Sequence, residues 1–144
     1  MKAIIVNWPE KLAHSLFEAT PPAMAQLVDR PFIQHVVESL INQGVESIDF
    51  VVGAGDYAIQ QLLGDGQRWG SRFQFFITSD FQRPLDRVRH LQSEYDGVLL
   101  ASATRLPRIN VESLEESPSA TTQMFCDDEG NWTGWGWIQR REGF

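Results

Sequence analysis

Short, nearly unbroken apolar runs alternate along this chain with segments in which apolar residues recur at helical spacing. Four of the runs predict strands, and they occupy residues 2–6, 47–52, 72–78 and 97–102. Continuous apolar runs are typical of strands that are buried on both faces of a parallel sheet. With helices between them, they predict a three-layer α/β domain with a mainly parallel, Rossmann-like sheet and right-handed crossovers.

The first predicted helix carries an apolar stripe over residues 33–41. Asp29 is its expected N-cap, Pro31 suits its first turn, and Gly44 ends it. A second helix is expected to begin at a cap formed by Asp56.

The second helix should close at Gly64, where residues 64–66 (GDG) form a turn because glycine accepts positive φ. Pro84 is well placed to start a third helix. The character of the chain changes after Thr104, where a loop and then a short helix over residues 111–116 are predicted.

The C-terminal part of the chain predicts a β-hairpin. Residues 121–126 and 132–139 are its expected strands, and residues 127–131 (DDEGN) form the turn between them. The acidic triplet at 127–129 could be taken for a metal site, but a solvated turn is the favoured interpretation.

Trp135 and Trp137 share one face of the last predicted strand because strand side chains alternate. They could cover the core, or they could dock another domain or a second copy of the chain, since aromatic rings favour interfaces. We predict that this pair is a contact surface.

Composition limits the classes of partner. The 144 residues suit one domain, 1–144, which could also be the N-terminal part of a longer protein. The net charge is −7 and basic clusters with interleaved aromatics are lacking, so nucleic acid is not an expected partner. The single cysteine, Cys126, and the lack of a long apolar run predict a cytoplasmic protein without membrane insertion.

Two motifs carry a resemblance to a known family. Residues 31–35 (PFIQH) and 64–70 (GDGQRWG) are similar, in order and separation, to the "PLIEH" and "GDGSRFG" segments of sugar-phosphate nucleotidyltransferases. The resemblance spans roughly residues 2–102, the N-terminal nucleotide-binding half of that family. It implies the same Rossmann-like fold.

The family's catalytic motifs are degenerate at four places in this sequence. Where the family has a glycine-rich loop for the triphosphate, this chain has a loop without glycine, which contains Asn7, Trp8, Pro9, Glu10 and Lys11. The remaining departures are Pro22 for a lysine, Asp86 for a glycine, and residues 100–104 without the magnesium-binding aspartate. Bare backbone N–H groups hold phosphates, and proline has none.

These departures lead to the expectation of a non-catalytic nucleotidyltransferase-like module with an assembly or regulatory role. The setting implied by the resemblance is bacterial polysaccharide or sugar-nucleotide metabolism. One alternative is an active nucleotidyltransferase with a divergent loop, and another is a small-ligand sensor. No catalytic residue, metal ligand or resident cofactor is expected, and the expected partner is a protein, a second copy or a further C-terminal domain.

Overall fold

The computed structural model of the chain describes residues 1–9, 22–84, 97–106 and 123–139. Its strands are β1 (Lys2–Val6), β2 (Gln26–Leu27), β3 (Arg30–Pro31), β4 (Ser47–Val52), β5 (Arg72–Ile77), β6 (Gly97–Ser102), β7 (Gln123–Cys126) and β8 (Trp132–Gln139). Six of them form one sheet in the order β5-β4-β1-β6-β8-β7, while β2 and β3 form a small separate hairpin.

The pairing confirms the predicted sheet. β5, β4, β1 and β6 run parallel, and β8 and β7 continue the sheet as the antiparallel C-terminal hairpin. Every residue of β1, β4 and β6 is buried, which explains why these strands read as continuous apolar runs. The predicted turn at 127–131 joins β7 to β8.

The core lies on the two faces of this sheet. The larger cluster packs α1 (Phe32–Asn42) and α2 (Tyr57–Leu63) against one face. The smaller cluster on the other face consists of Ile4, Val6, Val51, Val98, Leu100 and Ile138. No helix within the described ranges is long and apolar enough to cross a bilayer.

The predicted N-cap of α1 is wrong. The helix begins at Phe32, its N-cap is Pro31, and no side chain caps it. The β2–β3 hairpin takes the place of a cap, because the N–H of Phe32 donates to the carbonyl of Ala25 at 2.9 Å. Asp29 instead pairs with Arg30 at 2.7 Å in the turn before the helix. The predicted end is right, since Gly44 follows α1 with a φ of +94°.

The second helix begins and ends as predicted, with Asp56 at its N-cap and Gly64 at its C-cap. The Asp56 carboxylate, however, accepts a hydrogen bond from the N–H of Gly53 at 2.7 Å rather than from the helix. It therefore fixes the turn after β4. The third helix predicted from Pro84 and the short helix at 111–116 fall on residues outside the described ranges, apart from Pro84 itself.

A buried ion pair crosses two neighbouring strands. The ammonium of Lys2 in β1 lies 2.7 Å from the carboxylate of Asp49 in β4, and the two side chains are 8% and 4% exposed. Charges this well buried are tolerated only when they are paired, so the two residues depend on each other.

Candidate functional site

The strand order places a crevice at the centre of the sheet. β1 lies between β4 and β6, and the chain crosses from one side of β1 to the other between β5 and β6. In open α/β sheets, ligands bind beyond the carboxyl ends of the strands at such a switch point. The segments that lie there are residues 7–9 after β1, residues 103–106 after β6, and the start of β8.

Two indoles meet in this crevice. The rings of Trp8 and Trp132 contact edge to face, with centroids 5.3 Å apart and planes at 84°. Trp8 also packs against the smaller core cluster. Trp132, which is 39% exposed, also donates a hydrogen bond from its Nε1 to the carbonyl of Trp135 at 2.8 Å. Both rings are therefore fixed by contacts within the domain.

The backbone at the start of the loop is already engaged. Asn7 is buried, and its N–H donates to the carbonyl of Val51 at 2.9 Å. Pro9 has no N–H to offer. The described part of the loop, residues 7–9, thus consists of a hydrogen-bonded asparagine, a packed indole and a proline. Glu10 and Lys11 lie outside the described residues.

The hydroxyl groups of Ser102 and Thr104 lie at the end of β6, at the position where the resemblance implies a magnesium-binding aspartate. The Oγ of Ser102 lies 3.2 Å from the Oγ1 of Thr104 and accepts the N–H of Thr104 at 3.3 Å. These contacts close a tight local turn. Divalent cations of the magnesium type prefer carboxylate oxygens. Within the described ranges, no group of three or more His, Cys, Asp or Glu residues is placed to hold a metal ion.

A groove of about 180 Å³ opens beside the two indoles, and it is lined by Trp8, Ser102, Arg105, Trp132 and Gly134. It adjoins a wider, more polar depression of about 690 Å³, which shares Arg105 and Trp132. Arg105 is exposed, and no ion pair joins it to another described residue. Among the described residues that line the groove, it is the cationic one.

The acidic triplet beside this depression is a turn, as predicted. The carboxylate of Asp127 accepts the N–H groups of Asn131 and Glu129 at 2.8 and 2.9 Å. These hydrogen bonds, that from Asn131 first, hold the pKa of Asp127 below its usual value. The carboxylate therefore closes the turn between β7 and β8.

The two tryptophans predicted as a contact surface lie on the helix-covered face of the sheet. Trp135 is 2% exposed and belongs to the larger core cluster, and the half-buried Trp137 packs against the same cluster. A Cβ built on Gly97 would lie 2.1 Å from the ring of Trp137, so that ring rests directly on the glycine. Trp135 is thus a core residue, while association through Trp137 stays a prediction.

Sequence reasoning missed Trp132 and Arg105 as residues of the crevice. Arg105 could have been found, because it follows a predicted parallel strand and such positions meet at one edge of the sheet. Trp132 could not, because its place depends on how the hairpin pairs with β6.

Comparisons with known proteins agree with the fold. No family model matches the chain. It is 44% identical over 43 residues to a putative UTP–glucose-1-phosphate uridylyltransferase of Methanocaldococcus jannaschii, a match that covers 30% of this chain and 15% of that protein. It is 30% identical over 86 residues to the bifunctional protein GlmU of a Geobacillus species, covering 60% of this chain and 18% of GlmU. The matches thus span less than a fifth of these curated relatives.

Solved structures extend the similarity to nearly the whole chain. HddC from Yersinia pseudotuberculosis superposes with a TM-score of 0.74 at 15% identity, over 97% of this chain and 77% of HddC. A putative glucose-1-phosphate thymidylyltransferase from Bacillus anthracis gives a TM-score of 0.76 at 12% identity, over 98% and 72% of the two chains. The resemblance to sugar-phosphate nucleotidyltransferases is confirmed at the level of the fold.

Proposed function

We propose that this chain, which has the fold of the sugar-phosphate nucleotidyltransferases, is a non-catalytic module of that type with an assembly or regulatory role. Its setting would be bacterial polysaccharide or sugar-nucleotide metabolism, by analogy with the proteins that share the fold. The observation that carries the proposal is the contact between Trp8 and Trp132 in the crevice.

The contact matters because of what nucleotidyl transfer requires. Transfer depends on positioning a triphosphate against backbone N–H groups and on neutralising its charge with metal ions and cationic side chains. Here an indole fills the start of the loop, and its edge-to-face partner fixes it there. A flexible loop could move aside for phosphates, but a ring packed on two sides resists that movement.

The chemistry after β6 supports the same conclusion. Ser102 and Thr104 offer neutral hydroxyls that bond to each other. Pro22, which stands in place of the family's lysine, begins a 3-10 turn over Pro22–Met24 and carries no charge. Losing one charge-stabilising group costs about 3 kcal/mol, or roughly a hundredfold in rate. Losing a metal ligand and a lysine together lowers the rate by on the order of 10⁴.

A second candidate function, small-ligand sensing, is favoured by Arg105. The guanidinium lies beside two indoles in a groove of about 180 Å³. A flat or ring-shaped ligand with a negative charge could stack on the indoles and bind the guanidinium. Such a ligand would need neither a metal ion nor a phosphate loop.

Binding measurements separate these functions. We expect calorimetry to give a dissociation constant for magnesium nucleoside triphosphates no lower than about 1 mM. This limit corresponds to a binding free energy of roughly −4 kcal/mol. A micromolar dissociation constant would overturn the non-catalytic proposal. Titration with sugar phosphates, followed by tryptophan fluorescence, tests the sensor. A response that is lost in Arg105→Ala but kept in Arg68→Ala, an exposed arginine outside the groove, would establish sensing.

A further inference from the structure

β5 forms one edge of the six-stranded sheet, and within the described residues it pairs only with β4. The N–H groups of Arg72 and Thr78 donate to carbonyls just before and within β4, at 3.3 and 2.9 Å. Because peptide groups alternate in direction along a strand, those of Phe73, Phe75 and Ile77 point away from β4, toward the open edge of the sheet. The outer edge of the strand is therefore defined by these three residues.

The outward peptide group of Phe73 is covered, whereas those of Phe75 and Ile77 are not. The N–H of Phe73 donates to the carbonyl of Asp65 at 2.9 Å, so the turn after α2 lies against this end of the edge. In the described part of the chain, no backbone hydrogen bond is found for the outward N–H groups of Phe75 and Ile77. A short, two-residue stretch is thus left available for pairing.

The side chains along this stretch are apolar. Ile77 is 56% exposed and Tyr57, across the groove from β5, is 64% exposed. A groove of about 570 Å³ runs between α2 and the edge, with Tyr57, Gln61 and Phe75 among its lining residues. Unpaired edges of soluble proteins usually carry charges, proline or a bulge, which prevent strand addition. β5 has no proline, and its one charged residue, the exposed Arg72, lies at its start, outside the stretch from Phe75 to Ile77.

We propose that a second copy of this chain binds here, through antiparallel pairing of β5 with its counterpart about a two-fold axis at Phe76. In this register, Phe75 of each copy lies opposite Ile77 of the other. A hydrogen-bonded pair in an antiparallel ladder exchanges both N–H···O bonds. The two outward residues of each copy therefore form four hydrogen bonds and leave none of their peptide groups unpaired.

The turn at Asp65 selects this register. A shift by two residues toward the start of β5 would place Ile77 of the second copy against Phe73, whose outward N–H is already bonded to Asp65. In the proposed register the strand ends at Ile77, so the chain of the second copy turns away before it reaches that position.

Side chains also complement each other across the axis. Phe75 faces Ile77 on one side of the sheet, and the two copies of Phe76 meet on the other. An isologous interface of this kind closes as a dimer rather than a fibre.

The interface is small, and interfaces below about 1,200 Å² are typical of weak complexes. We therefore expect a dissociation constant of roughly 10 μM. This edge is separate from the crevice that contains Trp8 and Trp132. The proposed dimer therefore does not depend on whether the chain is catalytic.

Sedimentation of the wild-type chain over a range of concentrations tests the dimer directly. We expect a reversible monomer–dimer equilibrium, and we expect Ile77→Lys to raise the dissociation constant of the dimer at least tenfold. Val28→Lys is the matched control, because it makes the same charge change at an apolar residue that is 93% exposed and lies between β2 and β3, outside the six-stranded sheet. A monomeric wild type, or equal effects of the two variants, would overturn the proposal.

Disulfide trapping tests the register without depending on affinity. In a Cys126→Ser background, Phe76→Cys places two thiols at directly opposed positions, where Cα atoms lie about 4.5 Å apart and a disulfide can form. Gln74→Cys places them about 13 Å apart, since each lies two residues from the axis. We expect oxidation to cross-link the first variant and not the second. Equal cross-linking of both, or of neither, contradicts the register.

Discussion

The indole of Trp8 lies edge to face against that of Trp132, with ring centroids 5.3 Å apart. One ring comes from the loop after the first strand and the other from the start of the last strand. The contact thus joins the loop after β1 to the C-terminal hairpin across the carboxyl edge of the sheet. It occupies the crevice in which proteins of this fold class would admit a ligand.

A double-mutant cycle should detect this contact as a coupling energy. Edge-to-face aromatic pairs contribute about 0.5–1.5 kcal/mol beyond their burial. We expect Trp8→Ala and Trp132→Ala to be non-additive by that amount in urea unfolding. The cycle of Trp8→Ala with Trp69→Ala is the control, because Trp69 packs on the other face of the sheet and its effect should add. Equal coupling in both cycles would mean that the indole contact is not specific.

The free energy of unfolding should fall much more when one partner of the buried Lys2–Asp49 pair is replaced than when both are. Asp49→Asn leaves a buried ammonium without its carboxylate, which costs about 3–5 kcal/mol. The double change Lys2→Met with Asp49→Leu removes both charges and should cost less than the single change. Chemical denaturation of the three proteins checks the order, and a milder effect of the single change would contradict it.

Glu38 should make stability depend on acid pH. Although partial burial raises its pKa, hydrogen bonds from Gln34, Trp69 and Arg30 hold the pKa below the usual value of 4.5. A carboxyl with a lowered folded pKa stabilises the protein above its unfolded pKa, and this contribution is lost as pH falls through the folded pKa. We therefore expect the stability difference between wild type and Glu38→Gln to shrink below pH 4.5. A difference that is constant from pH 7 to 3 would contradict this.

Trp135→Ala should destabilise the domain, because its ring is 2% exposed within the larger core cluster. Truncating a buried aromatic ring costs about 3–5 kcal/mol. Thermal melting measures this effect, and sedimentation of the same variant measures association. A large drop in melting temperature with unchanged association is expected. Weaker association with an unchanged melting temperature would instead support the contact surface predicted from the sequence.

Local patterns predicted the sheet well, and they failed where distant segments meet. Strands at 2–6, 47–52 and 97–102 have the predicted bounds, because strands buried on both faces leave continuous apolar runs. Asp29 was assigned to the wrong place because capping rules consider only neighbouring residues. They do not foresee a small hairpin whose Ala25 carbonyl receives the first N–H of the helix.

In the candidate site, too, the features set by neighbouring residues were predictable and those set by contacts between distant segments were not. The loop of residues 7–9 and the lack of a carboxylate at 100–104 could be read from the sequence. The partner of Trp8 could not, because β8 reaches the crevice only through its pairing with β6. The bulge between Phe125 and Cys126 and the positive φ of Gly134 then set the position of Trp132.

Pyrophosphate release tests the non-catalytic proposal most directly. The purified chain would be incubated with each common nucleoside triphosphate, a panel of sugar 1-phosphates and Mg²⁺, and pyrophosphate would be measured with a coupled assay. We expect no release above the protein-free blank, since the described loop holds Trp8 against Trp132 and hydroxyls stand after β6. Release above the blank that is abolished by Lys11→Ala would contradict the proposal and show that the chain is an active nucleotidyltransferase.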